Sequence, residues 1–465
     1  MSYRELDETS TALARWFLAQ GLKPGDRVAL HWPNSIEVVQ LFFGVFKAGL
    51  IAVTVNTRLK PAEIGYILDH AEAKICFSEP ALAPLAEQSG TGRPTRSALP
   101  SPLAVDSSAA ELPPLDPDQP AVILYTSGTS SRPKGVAHTH RSLFQTADMM
   151  TQDLVRPGDV SLAATQVMHA AALNAVLLPS LYLGASVVLL PFDPEAVLDA
   201  VERFRATLVF CLPALWQLVT EEQTRKPRDV SSLRIIFVGG DSVSLALQQR
   251  SREIFGPEIQ EVYGMTETLP ITYNRQGSIR SGSVGQPPEG CDLRIVDHAG
   301  CDVANGETGE ILVRSAANCI GYWNDPASTK AAMDKEGWLH TGDLGSCDSD
   351  GYYWFKGRLK QIIIRAGSNI SPQEVEEALY RHPAVLEAGV AGAPDPACGE
   401  IVVAFLVLRE GRTVSEAELR AFCGQCLADY KVPERIVFLD ALPKGLTGKV
   451  DRRALREMLS TTTGA

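Results

Sequence analysis

Segments with helical spacing alternate with short β-branched runs from the N-terminus to about Glu261, and that alternation leaves few architectures open. Leu6, Leu13, Trp16 and Phe17 recur at helical spacing, Gly21 can cap the helix end, and Arg27 to His31 is an apolar run of strand length. The pattern repeats. Asn34 can cap a helix running through Ala48, Ile51 to Val55 is β-branched, Pro61 begins another helix, and Ile75 to Phe77 reads as a further strand. Val209 to Leu212 and Ile235 to Val238 continue the series as buried strands. Strands joined through helices pair in parallel and are covered on both faces, so an α/β fold is expected here.

The texture changes after Ser283. Leu293 to Val296, Glu310 to Val313 and Tyr352 to Phe355 are short strands separated by Gly-Glu, Gly-Asp and Asp-Gly turns, which predicts a β-rich lobe from about residue 283. Beyond Lys360 come a strand (362–364), a helix (Pro372 to Tyr380), two strands (385–390 and 401–407) and a helix near Glu416 to Leu427. About a hundred residues with their own apolar pattern suffice for a separate α+β domain. Two domains are therefore expected: a large one over 1–359 and a small, mobile one over 360–465. Gln88 to Pro120, rich in Ser, Pro, Gly and Ala without a period, reads as an exposed connection.

Charge and cysteine content narrow the function classes. The 43 basic and 55 acidic side chains give a net charge of -12, a field that repels polyphosphate backbones and anionic membranes. Nucleic acid is not an expected partner. Met1 to Leu6 carries no basic segment followed by an apolar core, so no secretory signal is visible and a cytosolic location is expected. The nine cysteines, an odd number scattered from Cys76 to Cys426, then read as reduced thiols. Val160 to Phe192 holds no Asp, Glu, Lys or Arg, yet Gln166, His169, Asn174, Pro179 and Gly184 interrupt it. A buried helix and strand, split at Leu183-Gly184, fit this stretch better than a membrane span. Cys423-Gly424-Gln425-Cys426 has redox or zinc spacing but no second Cys/His pair nearby and falls in a helical pattern, so it reads as a pair of core thiols.

The segment Tyr125-Thr126-Ser127-Gly128-Thr129-Ser130-Ser131-Arg132-Pro133-Lys134-Gly135 follows the apolar run Ala121 to Leu124. A strand, a turn rich in hydroxyls and glycine, and then a lysine supply what a phosphate grip requires: inward N–H groups, donor hydroxyls and a neutralising ammonium. The spacing is not that of a P-loop, because no Gly-Lys-Ser/Thr ends it.

This segment resembles the phosphate loop of the adenylate-forming superfamily, which includes acyl-CoA synthetases, peptide-synthetase adenylation domains and firefly luciferase. Four more stretches resemble that family in the same order: Tyr263-Gly264-Met265-Thr266-Glu267-Thr268, Thr341-Gly342-Asp343, Gly357-Arg358-Leu359-Lys360, and Pro443-Lys444-Gly445-Leu446-Thr447-Gly448-Lys449. The resemblance covers residues 3 to about 455. It implies an enzyme that activates a carboxylic acid with ATP and Mg²⁺ to an acyl-adenylate and pyrophosphate, and then passes the acyl group to coenzyme A. Two alternatives stay open: loading of a separate carrier protein, and nucleotide sensing without catalysis.

By that resemblance Thr126, Ser127, Gly128, Thr129, Ser130 and Lys134 grip phosphate, and Glu267 holds Mg²⁺ with Thr126 as an oxygen partner. Thr266 lies near the α-phosphate. Gly240, Asp241, Glu261 and Gly264 flank the nucleotide, Tyr263 stacks on adenine, and Asp343 with Arg358 takes the ribose. Lys449 is the mobile catalytic lysine and Lys360 the hinge. His169 matches a gating position beside the acyl carboxylate, and Ala170, Val238, Gly239 and Val262 line a pocket for a hydrophobic acyl group. Amino-acid-activating relatives carry an Asp near His169 that pairs the substrate ammonium; its absence argues against an amino-acid substrate. The sequence departs from the family pattern at Ser130-Ser131, at Gln361, at Arg365-Ala366-Gly367-Ser368 and at Cys398.

Overall fold

The computed structural model describes residues 1–100, 111–126, 132–445 and 449–462. Its first helix, Tyr3–Ala19, starts on a capping box in which the Ser2 hydroxyl accepts from the Glu5 N–H and the Glu5 carboxylate accepts from the Ser2 N–H. Leu13, Ala14 and Phe17 form its buried face. They pack against helix Ile36–Lys47 beneath the strands Arg27–His31 and Ile75–Ser78.

The large domain is built on two sheets. Among the described residues the first runs in the order Gly321–Tyr322, Lys134–Thr139, Pro120–Thr126, Ile51–Thr54, Arg27–His31, Ile75–Ser78 and Thr95–Arg96. Its four central neighbours from Pro120–Thr126 to Ile75–Ser78 pair in parallel, with Arg27 opposite Ile51 and Val28 opposite Ile75. The second sheet runs Thr268–Tyr273, Ile259–Met265, Ile235–Gly239, Leu208–Cys211, Val160–Ala163, Ser186–Leu189 and is parallel except at its first pair. Strands such as Val28-Ala29-Leu30 and Ile236-Phe237-Val238 are wholly buried on both faces, because helices cover them on each side.

The β-rich lobe is an antiparallel four-stranded sheet of Cys291–Val296, Gly309–Ser315, Leu339–Cys347 and Tyr353–Arg358. The small C-terminal domain carries the hairpin Val385–Asp395 and Gly399–Leu408, flanked by Ile363–Arg365, Ser368–Ile370 and Arg435–Phe438, with helices Pro372–Tyr380, Glu416–Cys423 and Arg452–Thr462. A short turn of helix at Leu359–Gln361 joins it to the lobe.

Three expectations are refined. Asn34 does not cap the second helix; Ser35 does, its hydroxyl accepting from the Val38 N–H. Asn34 instead ties the two sheets together, donating to the carbonyls of Ala163, Thr165 and Leu190 and accepting from the Val167 N–H at 2.8 Å. The connection from Gln88 contains the strand Thr95–Arg96, which extends the first sheet, while 101–110 lie outside the described residues. The uncharged stretch holds a strand at Val160–Ala163, a helix from Ala170 with a π-turn at Leu173–Leu177, and a strand at Ser186–Leu189; Gly184, at φ +71°, makes the break. Among the described residues no helix is long and apolar enough to cross a membrane. All nine cysteines are free; Cys423 is a core thiol, but Cys426 is not, because the helix ends at Cys423 and leaves Cys426 exposed beyond it. Among the described residues no three His, Cys, Asp or Glu side chains are placed to hold a metal.

Candidate active site

The carboxyl ends of the parallel strands, where α/β folds concentrate their ligands, open beneath the small domain. Strand Ile259–Met265 delivers Tyr263 to this cleft, and its antiparallel pairing with Thr268–Tyr273 shifts register between Tyr263 and Met265, so the chain turns sharply at Thr266-Glu267. Gly264 sits at that shift, where a Cβ would collide with a Leu269 methyl.

Tyr263, Asp343 and Arg358 form one constellation. The Tyr263 hydroxyl donates to Asp343 Oδ2 at 2.9 Å, and the Arg358 guanidinium lies 3.0 Å from Oδ1. Asp343 and Arg358 face each other across adjacent lobe strands, and the Asp343 N–H is held by the Thr341 hydroxyl. Burial raises the Asp343 carboxyl and opposes the charge of Arg358, and it also pushes the Tyr263 phenol far up. Asp343 is 1% exposed, yet its Oδ1 accepts no well-aligned hydrogen bond. A carboxylate offers about four lone-pair sites, so this one has room for two further donors, the number a vicinal diol brings.

A second constellation centres on Glu267, which is 8% exposed. The Tyr322 hydroxyl donates to its Oε1 at 2.7 Å. The Lys134 ammonium lies 4.7 Å from the Tyr322 ring centre and donates to the Ser328 hydroxyl. Strand pairing explains the grouping: Tyr322 lies opposite Val136, and Lys134 opposite Thr126, so three neighbouring strands converge here. From the same middle strand His138 donates Nε2–H to the Thr266 carbonyl at 2.7 Å and pins the Thr266-Glu267 turn from beneath. Ser127, Gly128, Thr129 and Ser130 lie outside the described residues.

Lys449 enters from the small domain. A Cβ built on Gly240 would lie 3.8 Å from the Lys449 ammonium and 2.9 Å from a Leu212 methyl, and Gly240 has φ +89°. Both the conformation and the approach demand glycine. Burial lowers the Lys449 ammonium, while the carboxylates of Asp241 and Asp343 draw it back up and Arg358 opposes them. Asp241, Lys449, Tyr380, Glu376 and Arg452 line a cavity of about 90 Å³ between the domains. Glu376 takes two bonds from one Arg452 nitrogen, at 2.8 and 2.6 Å, and a third from the Val390 N–H.

His169 completes the site from the second sheet's side. Its Nε2 lies 3.1 Å from Asn56 Nδ2, and burial, with help from the cations Lys449 and Arg58, lowers the imidazole to about 4. The ring is therefore neutral near pH 7. Glu261 faces elsewhere: its Oε1 accepts from Gln248, and burial together with the Glu377 charge lifts it to about 8.

The four candidate pocket residues do not share one face. Gly239 and Val262 are opposite each other in register, and Val262 packs with Phe237. Val238 points to the other side of its strand, into the core of Trp216 and Leu247, and Ala170 packs among Met168, Ala172 and Leu173. The residues the sequence reading missed are Asn56, His138, Tyr322, Glu376, Glu377 and Arg452. Only Asn56 had a visible signal, its place just past the end of a parallel strand.

The arrangement supplies a diol acceptor, an aromatic face, an anchored carboxylate suited to a hard cation, and a lysine ammonium from the small domain, which together suit a magnesium-bound nucleotide beside a second anion. Residues 1–323 match the family model described as AMP-binding enzyme, and residues 374–449 match that of the AMP-binding enzyme C-terminal domain. The chain is 34% identical over 475 residues to a sulfoacetate–CoA ligase of Cupriavidus necator, covering 98% of this chain and 92% of that protein. It is 33% identical to the fatty acid–[acyl-carrier-protein] ligase ScoC of Streptomyces coeruleorubidus, covering 98% and 91%. Its fold is similar to the crystal structure of the anthranilate CoA ligase AuaEII in complex with anthranoyl-AMP, with a TM-score of 0.94, 31% identity, and coverage of 100% and 93%. With both family domains present in order across nearly its whole length, the chain belongs to the AMP-binding enzyme family of adenylate-forming ligases.

Proposed function

We propose that the protein is an AMP-forming acid–thiol ligase. In the first half-reaction a carboxylate oxygen attacks the α-phosphorus of ATP, giving an acyl-adenylate and releasing pyrophosphate. In the second, the thiol of coenzyme A attacks the acyl carbonyl and AMP leaves, carrying the bond's electron pair. The observation that carries this reading is the position of Lys449. The small domain inserts the ammonium beside Gly240, near enough to Asp343 and to His169 for the charges to act on one another, where the nucleotide and the carboxylate would meet.

Each group then has a task set by its chemistry. Tyr263 offers its ring to adenine, and Asp343 accepts the ribose hydroxyls with Arg358 beside it. Glu267 and Thr126 would hold Mg²⁺, which shields phosphate charge when bound; the oriented carboxylate and a hydroxyl are the hard oxygen donors that ion prefers. Lys134, with Ser127 to Ser130, would take phosphate oxygens, and Thr266 would stand near the α-phosphate. Gly240, Asp241 and Gly264 flank the nucleotide, whereas Glu261 is turned to Gln248. Lys449 stabilises charge growing on the transferred phosphoryl, so its worth lies in the transition state rather than in binding. His169 gates the acyl carboxylate, and Ala170, Gly239 and Val262, with Val238 behind them, favour an apolar acyl group.

The unit over 360–465 acts as a lid on the unit over 1–359 and rotates about Lys360, an exposed residue in the connecting turn. Rotation withdraws Lys449 and brings the face near Ala366 and Gly367 to the adenylate. A second reading, transfer of the acyl group to a carrier protein, is favoured by the similarity to the fatty acid–[acyl-carrier-protein] ligase. Mass analysis of products formed with free coenzyme A and with a pantetheinylated carrier separates the two. Acyl-CoA is the expected product; acylation of the carrier alone would replace the first reading by the second.

A further inference from the structure

We infer that Asn56 is a positioning residue for His169, whose side-chain amide holds the imidazole in its neutral Nδ1–H tautomer and in one ring orientation beside the acyl carboxylate. The inference rests on the placement of His169 at that carboxylate, as proposed above.

Asn56 follows strand Ile51–Thr54 by two residues and is 8% exposed. Its Oδ1 accepts from the Arg58 N–H at 2.9 Å, which fixes which end of the amide faces which way. The Nδ2 end is thereby directed at His169 Nε2, 3.1 Å away. An NH₂ group has only hydrogens to give, so Nε2 must present its lone pair and the ring proton must reside on Nδ1. An imidazolium would put N–H against N–H and break the contact.

The backbone beneath the ring is fixed from the same sheet. Asn34 accepts from the Val167 N–H and donates to the carbonyls of Ala163, Thr165 and Leu190. Two asparagines that follow adjacent parallel strands thus fix the segment and the tautomer of one histidine that follows strand Val160–Ala163 of the other sheet. The charged groups that act on the ring are Lys449 from the lid and Arg58 from the Asn56 turn, both cations, and both oppose its protonation. A neutral ring can move aside between half-reactions, whereas an imidazolium would pair with the carboxylate and compete with Lys449 for it.

The test uses the full-length protein with ¹⁵N-labelled histidine, with His169→Ala to identify the resonances. Wild-type His169 should show a protonated Nδ1 and a bare Nε2, and Asn56→Ala should mix the two tautomers. Asn56→Asp supplies only acceptors, so the proton should move to Nε2 and the ring pKa should rise towards or above the ordinary 6.5 or so. Adenylate formation by Asn56→Asp should then gain an acid limb, falling about tenfold for each pH unit below that new value. The limb should be absent from wild type, from Asn56→Ala and from Asn56→Asp/His169→Ala. A purely structural role would lower the rate equally at every pH. A wild-type Nε2–H tautomer, or an Asn56→Asp profile parallel to wild type, overturns the inference. Should no acid be adenylated at all, the proposed activity falls, while the resonances still decide the role of Asn56.

Discussion

Glu261→Gln isolates one buried carboxyl at the seam between the domains. Glu261 is 8% exposed, accepts from Gln248, and faces Glu377 on the lid helix, whose own carboxylate accepts from the Leu245 N–H at 3.2 Å. Burial, with the Glu377 charge, raises Glu261 to about 8, and burial raises Glu377 as well. Near pH 7 Glu261 is therefore protonated and the two domains meet without a pair of opposed anions at this point. Because its folded value lies above the unfolded one, the stabilisation it brings is complete below pH 4.5 and is lost as pH rises through about 8. One pH unit beyond that point, keeping the proton costs about 1.4 kcal/mol, a factor of ten. Single-turnover adenylate formation across pH 6.5 to 9.5, values set by roughly one to two units on either side of that ionisation, reads the effect. The ratio of wild type to Glu261→Gln should be level below pH 8 and about tenfold lower by pH 9. Lys449, lowered by burial, titrates in both proteins and cancels. A ratio that stays level to the alkaline end would refute a buried, neutral Glu261 at the seam.

Arg452→Met strands Glu376, which is 8% exposed, as an unpaired buried carboxylate; a loss of about 3–5 kcal/mol is expected, with faster hydrogen exchange at the Val390 amide and recovery in Glu376→Leu/Arg452→Met. Unchanged exchange at Val390 would count against the pair as a brace of the lid. Tyr322→Phe removes the hydroxyl that orients Glu267, so the Mg²⁺ concentration giving half-maximal adenylation should rise about 10–100-fold; an unaltered Mg²⁺ dependence would deny Glu267 the metal. Lys360→Pro should stall the rotation and let acyl-adenylate accumulate, and normal overall turnover would place the hinge elsewhere.

Much of the fold was legible because parallel strands buried on both faces have a plain signature. Arg27–His31 and helix Pro372–Tyr380 lie where the apolar pattern put them. The second helix's cap was misread by one residue, since Asn34 and Ser35 are both good caps and only Asn34 has carbonyls of another sheet within reach. Tyr263, Asp343, Arg358 and Lys449 were visible through motifs that each occupy a few consecutive residues, and the structure brings the first three together. What stayed hidden are pairings across the chain: Tyr322 with Glu267 spans 55 positions and Asn56 with His169 spans 113, so neither leaves a local trace. Val238 shows the reverse failure, since alternation along a strand turns it from its neighbour Gly239 whatever the motif suggests.

In the proposed mechanism the lid's lysine helps join a carboxyl oxygen to phosphorus. Mass detection of acyl-AMP, after one turnover of MgATP with a panel of organic acids, compares wild type with Lys449→Ala. Wild type should form the mixed anhydride, and the variant should form it about 10²–10³-fold more slowly while still converting supplied acyl-AMP and coenzyme A to thioester. No anhydride from any acid, or equal loss in both half-reactions, would rule out this role for Lys449.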